Sequence, residues 1–315
     1  MEKNLNLNDQ QVLLQQKRKR TINKYLFIFA IIGFQLVNFI IFYVIQNFNS
    51  ILMAFQLKSK GEIVWTFDNF TRLYDAFFNA SPEDELITAL TNTFRFFGLN
   101  LIMFPISFVT SYFMFKKVFG HSLFRVIFFV PSILSAVVWS NLYKVIAGPE
   151  GPIVDIIMAL TNSDMPLELF RQPYAIYTVM AYSVWMGIAG NFILYGGALS
   201  RIPTEVLEAG QIDGLGWFRE MVSVIIPLIF PTIGTLLLLQ LTSIFMSSGN
   251  ILLLTAGGEG TTTLSYFIFD TVYKLAGTSN EYNYASAVGI VFTMLTIPIV
   301  FGVRSMLNKI DDVQY

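Results

Sequence analysis

Arg201-Ile-Pro-Thr-Glu-Val-Leu-Glu-Ala-Gly-Gln-Ile-Asp-Gly-Leu-Gly-Trp-Phe-Arg-Glu, ending at Glu220, is a polar interruption between two long apolar runs. Its own chemistry orders it. Thr204 suits an N-cap, Glu205 suits the positive end of a helix, and Gly214 suits the left-handed position that closes one. The spacing predicts a short helix over Glu205–Asp213 and a second helix that starts after Gly216. That second helix runs through Trp217, Phe218, Met221 and Val222 into the next apolar run. Small Ala209 and Gly210 would let another surface approach closely, and Glu208 and Asp213 offer acceptors to donors on it. The segment reads as a peg for a socket on another protein.

The runs on either side set the fold class. Of 315 residues, 54% are apolar and 13% charged, about half the charged share of a soluble domain. Crossing about 30 Å of hydrocarbon takes roughly 20 largely apolar residues. Six stretches meet that length: Tyr25–Ile45, Phe94–Phe115, Val126–Ile146, Ala175–Leu199, Val222–Phe245 and Tyr284–Val303. The first is too long for a cleavable signal and lacks a small-residue cleavage site, so it is expected to remain as a helix. The expected fold is an all-α membrane protein with six transmembrane helices. Its parts are an N-terminal tail (1–24), a membrane domain (25–303) and a C-terminal tail (304–315). Within the domain lie a long connection (46–91) and the polar interruption (200–221). The Gln- and Asn-rich first sixteen residues read as a disordered tail. In the long connection, Phe67, Phe70, Leu73, Tyr74, Phe77 and Phe78 recur at helical spacing opposite Asp68, Asn69, Arg72 and Asp75. This helix is expected either to lie on the bilayer or bundle, or to dock an external partner.

Orientation follows from the basic residues, which are retained on the cytoplasmic side. With the N-terminal tail inside, 13 Lys and Arg face the cytoplasm and 6 face out, while 13 of the 21 acids lie outside. Both termini are therefore predicted to be cytoplasmic. The near-neutral formal charge of −1 is a cancellation between two oppositely charged faces.

What the spans lack also narrows the function. No Asp, Glu, Lys, Arg or His occurs between Tyr25 and Leu57 or between Met221 and Gly258. A proton- or voltage-driven device needs ionisable groups there, so energy is expected from another subunit. Neutral polar and aromatic groups remain. Trp139, Asn141, Trp185, Asn191, Tyr195, Gln240 and Ser243 are candidates for a substrate path, since amides and hydroxyls suit an uncharged polyhydroxyl ligand and aromatic faces stack on sugar rings. Hydrogen bonding between helices explains the same side chains equally well. Pro105, Pro131, Pro227, Pro231 and Pro298 remove backbone donors in or near spans, favouring fixed bends. No cysteine and one histidine, His121, argue against a metal centre or a catalytic triad. Gly257-Gly-Glu-Gly-Thr-Thr-Thr lacks the lysine of a phosphate-binding loop and reads as a plain loop. No such ATP motif occurs elsewhere in the chain. Asn69-Phe-Thr and Asn79-Ala-Ser fit a glycosylation acceptor that matters only in a eukaryotic secretory route.

Glu208-Ala209-Gly210, three residues, Gly214, nine residues, then Val224-Ile225-Ile226-Pro227 resembles the EAA loop of binding-protein-dependent ABC importer permeases. The family pattern is E-A-A, three residues, G, nine residues, I-x-L-P. The spacing agrees throughout, and the departures at Gly210, Val224 and Ile226 keep small or aliphatic character. Asn47-Phe-Asn-Ser-Ile-Leu-Met-Ala-Phe-Gln, Trp65-Thr-Phe-Asp-Asn-Phe and Thr263-Leu-Ser-Tyr-Phe-Ile-Phe look most like carbohydrate permeases of the maltose-transporter membrane-subunit type. The resemblance implies a type I importer fold in a bacterial cytoplasmic membrane. It also implies a second homologous permease, two cytoplasmic ATPase subunits that bind ATP and Mg, and an extracytoplasmic solute-binding protein. Glu205, Glu208, Ala209, Gly210, Asp213 and Gly214 would form the coupling helix seated in an ATPase groove. The chain itself would bind no cofactor, catalyse no reaction, and translocate a carbohydrate, an oligosaccharide by the branch it resembles. A secondary carrier for a neutral solute and a non-transporting scaffold or sensor are the alternatives left open by the residues alone.

Overall fold

The structure is a computed structural model that describes residues 7–59, 62–79, 81, 84–162, 165–246, 249–274 and 279–309. Residues 1–6 of the expected N-terminal tail and 310–315 of the C-terminal tail lie outside the described residues. Helix α1 (Leu7–Phe39) passes through a π-helical turn (Ile40–Ile45) into α2 (Gln46–Ala54). The polar sequence from Leu7 onward is thus helical, against the expectation of a disordered tail there. A hairpin of β1 (Gln56–Ser59) and β2 (Glu62–Trp65) follows, with Gln56 opposite Trp65 and Ser59 opposite Glu62. Then come α3 (Asp68–Phe78), α4 (Glu85–Phe115), α5 (His121–Ile133), α6 (Ala136–Ile146) and α7 (Pro152–Thr161). The chain ends with α8 (Ala175–Leu199), α9 (Thr204–Ile212), α10 (Trp217–Glu220), a second π-helical turn (Met221–Ile225), α11 (Ile226–Thr242), α12 (Gly249–Leu254), α13 (Leu264–Lys274) and α14 (Ser279–Leu307).

Five continuous helices among the described residues are long and apolar enough to cross a membrane, and a bent pair makes a sixth. The bend is where the expected third span, Val126–Ile146, differs from the structure. The His121–Pro131 and Ala136–Ile146 segments meet at 106°. Pro131 lies in the last turn before the break and has no N–H to bond backward, and Leu134 is extended (ψ 155°). Ser135 then caps α6, its hydroxyl accepting from Val138 N at 3.4 Å. Pro105, Pro231 and Pro298 sit inside helices that stay continuous.

Three buried clusters hold the bundle. At one end, Phe108 and Tyr112 of α4 pack with Tyr195, Ala198 and Leu199 of α8 and with Met221, Ile225 and Ile229 leading into α11. In the middle, Phe96, Trp139, Val179 and Tyr182 enclose Ile251 and Leu254 of α12. At the other end, Leu73 of α3 and Leu86 and Leu90 of α4 meet Leu264, Tyr284, Val288 and Phe292. The first span stands apart: none of its most apolar stretch is buried.

The long connection is docked at the end that holds the third cluster. Asn69, expected on the polar face of α3, is buried instead, and its amide donates to Ala54 O (2.9 Å) and Gln56 O (3.0 Å). Arg72 pairs with Glu281 at 2.9 Å and lies over the Tyr284 ring, while Asn280 accepts from Lys58 N at 2.8 Å. Leu73 and Phe77 face the bundle; Phe67, Tyr74 and Phe78 remain exposed.

Candidate functional site

The polar interruption forms a turn-and-peg between α8 and α11. Pro203, rather than Thr204, occupies the N-cap position. Its fixed φ of −59° sets up the first turn, and Thr204 becomes the first helical residue with no side-chain cap bond. Glu205 lies in that first turn, as expected. At the other end Asp213 is the C-cap and Gly214 is left-handed, with φ +71°. Asp213 N donates to Ala209 O and Leu215 N to Gly210 O, both at 3.0 Å, so the last carbonyls of α9 are satisfied by the turn that Gly214 makes.

Gly210 departs from its expected role. It is buried, and a Cβ placed there would lie 3.3 Å from Leu215 Cδ1. Its smallness lets Leu215 of the following turn pack against it. The outward surface of the peg includes Thr204, Glu205, Glu208, Ala209, Gln211, Ile212, Asp213 and Gly214. Ile212, which the sequence reading passed over, is 86% exposed, a large aliphatic group on an otherwise polar surface.

A second site lies between the helices. Phe96 and Asn100 of α4 form a wall shared by two recesses. One, of about 240 Å³, continues over Ser183, Met186, Gly187, Asn250 and Ile251. The other, of about 340 Å³, continues over Phe97, Gln240, Ser243, Ile244 and Met246. Asn250 donates to Ser183 Oγ at 2.9 Å, and Ser183 donates to Val179 O at 2.9 Å. The two recesses carry amide and hydroxyl groups and no formal charge.

Of the seven expected path residues, Gln240 and Ser243 line a recess. Trp139 and Trp185 meet edge to face at 4.8 Å in the middle cluster. Asn141 is exposed on α6 and Asn191 is half-buried on α8. Tyr195 is fully buried between Phe104 and Phe108, at ring distances of 5.7 and 5.4 Å, in a packing position. Asn100 and Asn250 were missed. Asn100 is the polar residue in an otherwise aliphatic and aromatic stretch of its span, which was the available signal. Asn250 sits beyond the expected fifth span, on α12, which no periodicity announced.

The loop from Gly257 to Thr263, expected to be plain, is a packed plug at the end of the bundle opposite the peg. Asn92 is buried and donates to Gly260 O (2.8 Å) and Thr262 O (2.9 Å), and Thr93 Oγ1 accepts from Leu264 N at 2.9 Å. Gly257 has φ +74°, and a Cβ there would come within 2.3 Å of the Tyr266 ring. The plug borders an open vestibule of about 840 Å³ that includes Glu85, Arg95, Gln172, Tyr177 and Glu259. The α9 peg at one end, the two neutral polar recesses and the vestibule at the other end are the surfaces open to a partner or a solute.

Residues 102–312 match the profile of the family described as binding-protein-dependent transport system inner membrane component. The chain belongs to that family. It is an inner-membrane, multi-pass permease component. The permease is 29% identical over 192 residues to the multiple sugar-binding transport system permease protein MsmF of Streptococcus mutans, covering 61% of this chain and 63% of MsmF. It is 26% identical over 297 residues to the diacetylchitobiose uptake system permease protein NgcF of Streptomyces coelicolor, covering 90% of this chain and 82% of NgcF. In three dimensions it matches a chain of a bacterial ABC transporter involved in the import of the acidic polysaccharide alginate. That match has a TM-score of 0.76 at 22% identity and covers 93% of this chain and 99% of the other, so the likeness is one of fold.

Proposed function

We propose that this permease is the membrane-spanning subunit of an ATP-driven importer that moves a neutral oligosaccharide delivered by a solute-binding protein. The observation that carries the coupling part is the α9 peg: an ordered helix, closed by left-handed Gly214, presents Ala209 and Ile212 between acidic side chains. That surface suits a socket on a separate ATPase subunit, which would bind the ATP and Mg. The named sugar relatives support the substrate class, as do the recesses around Asn100, whose amides and hydroxyls can exchange hydrogen bonds with a polyhydroxyl solute. The unburied first span supports a second permease subunit as the neighbour that covers it, and the charge distribution supports cytoplasmic termini. Rocking of the two permeases would open the cleft to one side at a time.

The test is reconstitution. Proteoliposomes holding the two permeases and the ATPases, supplied with the solute-binding protein, should take up labelled neutral oligosaccharide only with internal ATP. Uptake by the permeases alone, driven by an ion gradient, would instead favour a secondary carrier. Partner binding with no flux under any condition would favour a scaffold or sensor.

A further inference from the structure

We propose that Lys116 and Glu220 form a strut that carries displacement of the coupling segment to α4, and so to the wall of the solute recesses. The proposal rests on the coupling reading above and adds the route by which motion leaves the peg. Lys116 Nζ donates to both carboxylate oxygens of Glu220, at 2.8 and 2.9 Å. The Glu220 side chain is 4% exposed and that of Lys116 24%. Removing either partner of such a pair is costly, because the other is left in a site withdrawn from water without its counterpart.

Two further contacts lie beside this pair. Tyr112 OH donates to Trp217 O at 3.1 Å, and the Phe113 ring lies 5.4 Å from the Trp217 ring. All three contacts join the end of α4 to α10, the single turn that follows the peg. The covalent route from α10 into α11 runs through the π-helical turn Met221–Ile225. The ion pair gives displacement of α10 a separate route, into α4. From α4 the path continues by packing: Phe108 meets Tyr195 of α8 edge to face, and Phe96 and Asn100 on the same α4 helix wall both recesses. Moving α10 with the strut intact moves that wall; cutting the strut removes that route.

The experiment uses the full reconstituted complex with Glu220→Gln, Lys116→Gln and the charge-keeping Lys116→Arg. The readout is labelled oligosaccharide imported per ATP hydrolysed, at matched yield of assembled complex. The Gln variants are expected to hydrolyse ATP but import roughly five-fold less per ATP or lower still, the usual scale of a lost coupling. Lys116→Arg should recover most of the ratio. A purely structural role would lower the yield of complex and leave the ratio alone. In parallel, spin labels on Phe119→Cys and Gln211→Cys, in this cysteine-free chain, report whether the end of α4 follows the peg. Their separation should hold steady between nucleotide-free and ATP-bound states in the parent and change in Glu220→Gln. An unchanged import ratio in Glu220→Gln, or labels that separate equally in the parent, would overturn the strut. A parent complex that imports nothing with ATP would remove the coupling reading itself, and the strut with it.

Discussion

Replacing Gly214 isolates the geometry of the α9 peg, because its cost is readable from the backbone alone. Its φ of +71° lies where an L-residue pays about 1–2 kcal/mol, more if β-branched. No heavy atom lies within 4 Å of the Cβ that a substitution would add, so no packing effect is mixed in. If an ATPase socket accepts α9 only with this turn in place, the whole cost is subtracted from docking. Gly214→Val should then weaken binding of a labelled ATPase subunit to the solubilised permease by roughly 5–30-fold, the equivalent of 1–2 kcal/mol. Gly214→Asn, whose side chain tolerates the left-handed region, should lose only a small part of that. A titration monitored by fluorescence anisotropy gives both affinities directly. Equal affinity for Val and wild type, or Asn as damaging as Val, would show that the turn is not what the socket reads.

Substitutions at three other positions separate packing from recognition. Gly210→Ala should be close to neutral in uptake, since relief of helix glycine offsets the 3.3 Å approach to a flexible Leu215 methyl, whereas Gly210→Trp should abolish coupling by forcing the turn open. Asn92→Leu strips two carbonyls of the plug of their donor, costing about 1–3 kcal/mol for each acceptor left unpaired, and should lower the thermal midpoint of the detergent-solubilised permease. Asn100→Leu should spare assembly and ATP hydrolysis but reduce oligosaccharide uptake about tenfold, the scale of a hydrogen bond lost to a solute, as read by initial rates in proteoliposomes.

How much of this was legible in the sequence depended on how local the cause was. The spans showed because lipid demands about 20 apolar residues whatever the partners, and Ala175–Leu199 coincides with α8. Gly214 showed because a left-handed cap is a one-residue requirement. Thr204 misled because Pro203, one position earlier, already fixes the entry angle of the helix. Gly210 misled for a different reason: smallness has the same signature whether it admits a partner or a neighbouring loop, and Leu215 turned out to be the neighbour. The break after Pro131 was invisible to hydropathy, since both arms are apolar. Asn250, Asn92 and the Lys116–Glu220 pair depend on contacts between segments 67 to 170 positions apart, which no window along the chain reports. The site was therefore readable where one short segment makes it, and unreadable where the bundle assembles it.

The central claim is that the surface of α9 is where energy from a separate ATPase enters this permease. A photoreactive cross-linker on Ile212→Cys in the assembled transporter tests it most directly, with Phe119→Cys, exposed at the end of α4, as the control for mere proximity to that face. Ile212→Cys should form an adduct with the ATPase subunit whose yield changes with ATP, and Phe119→Cys little or none. An Ile212→Cys label that never captures the ATPase, or captures it no more than Phe119→Cys, would contradict it.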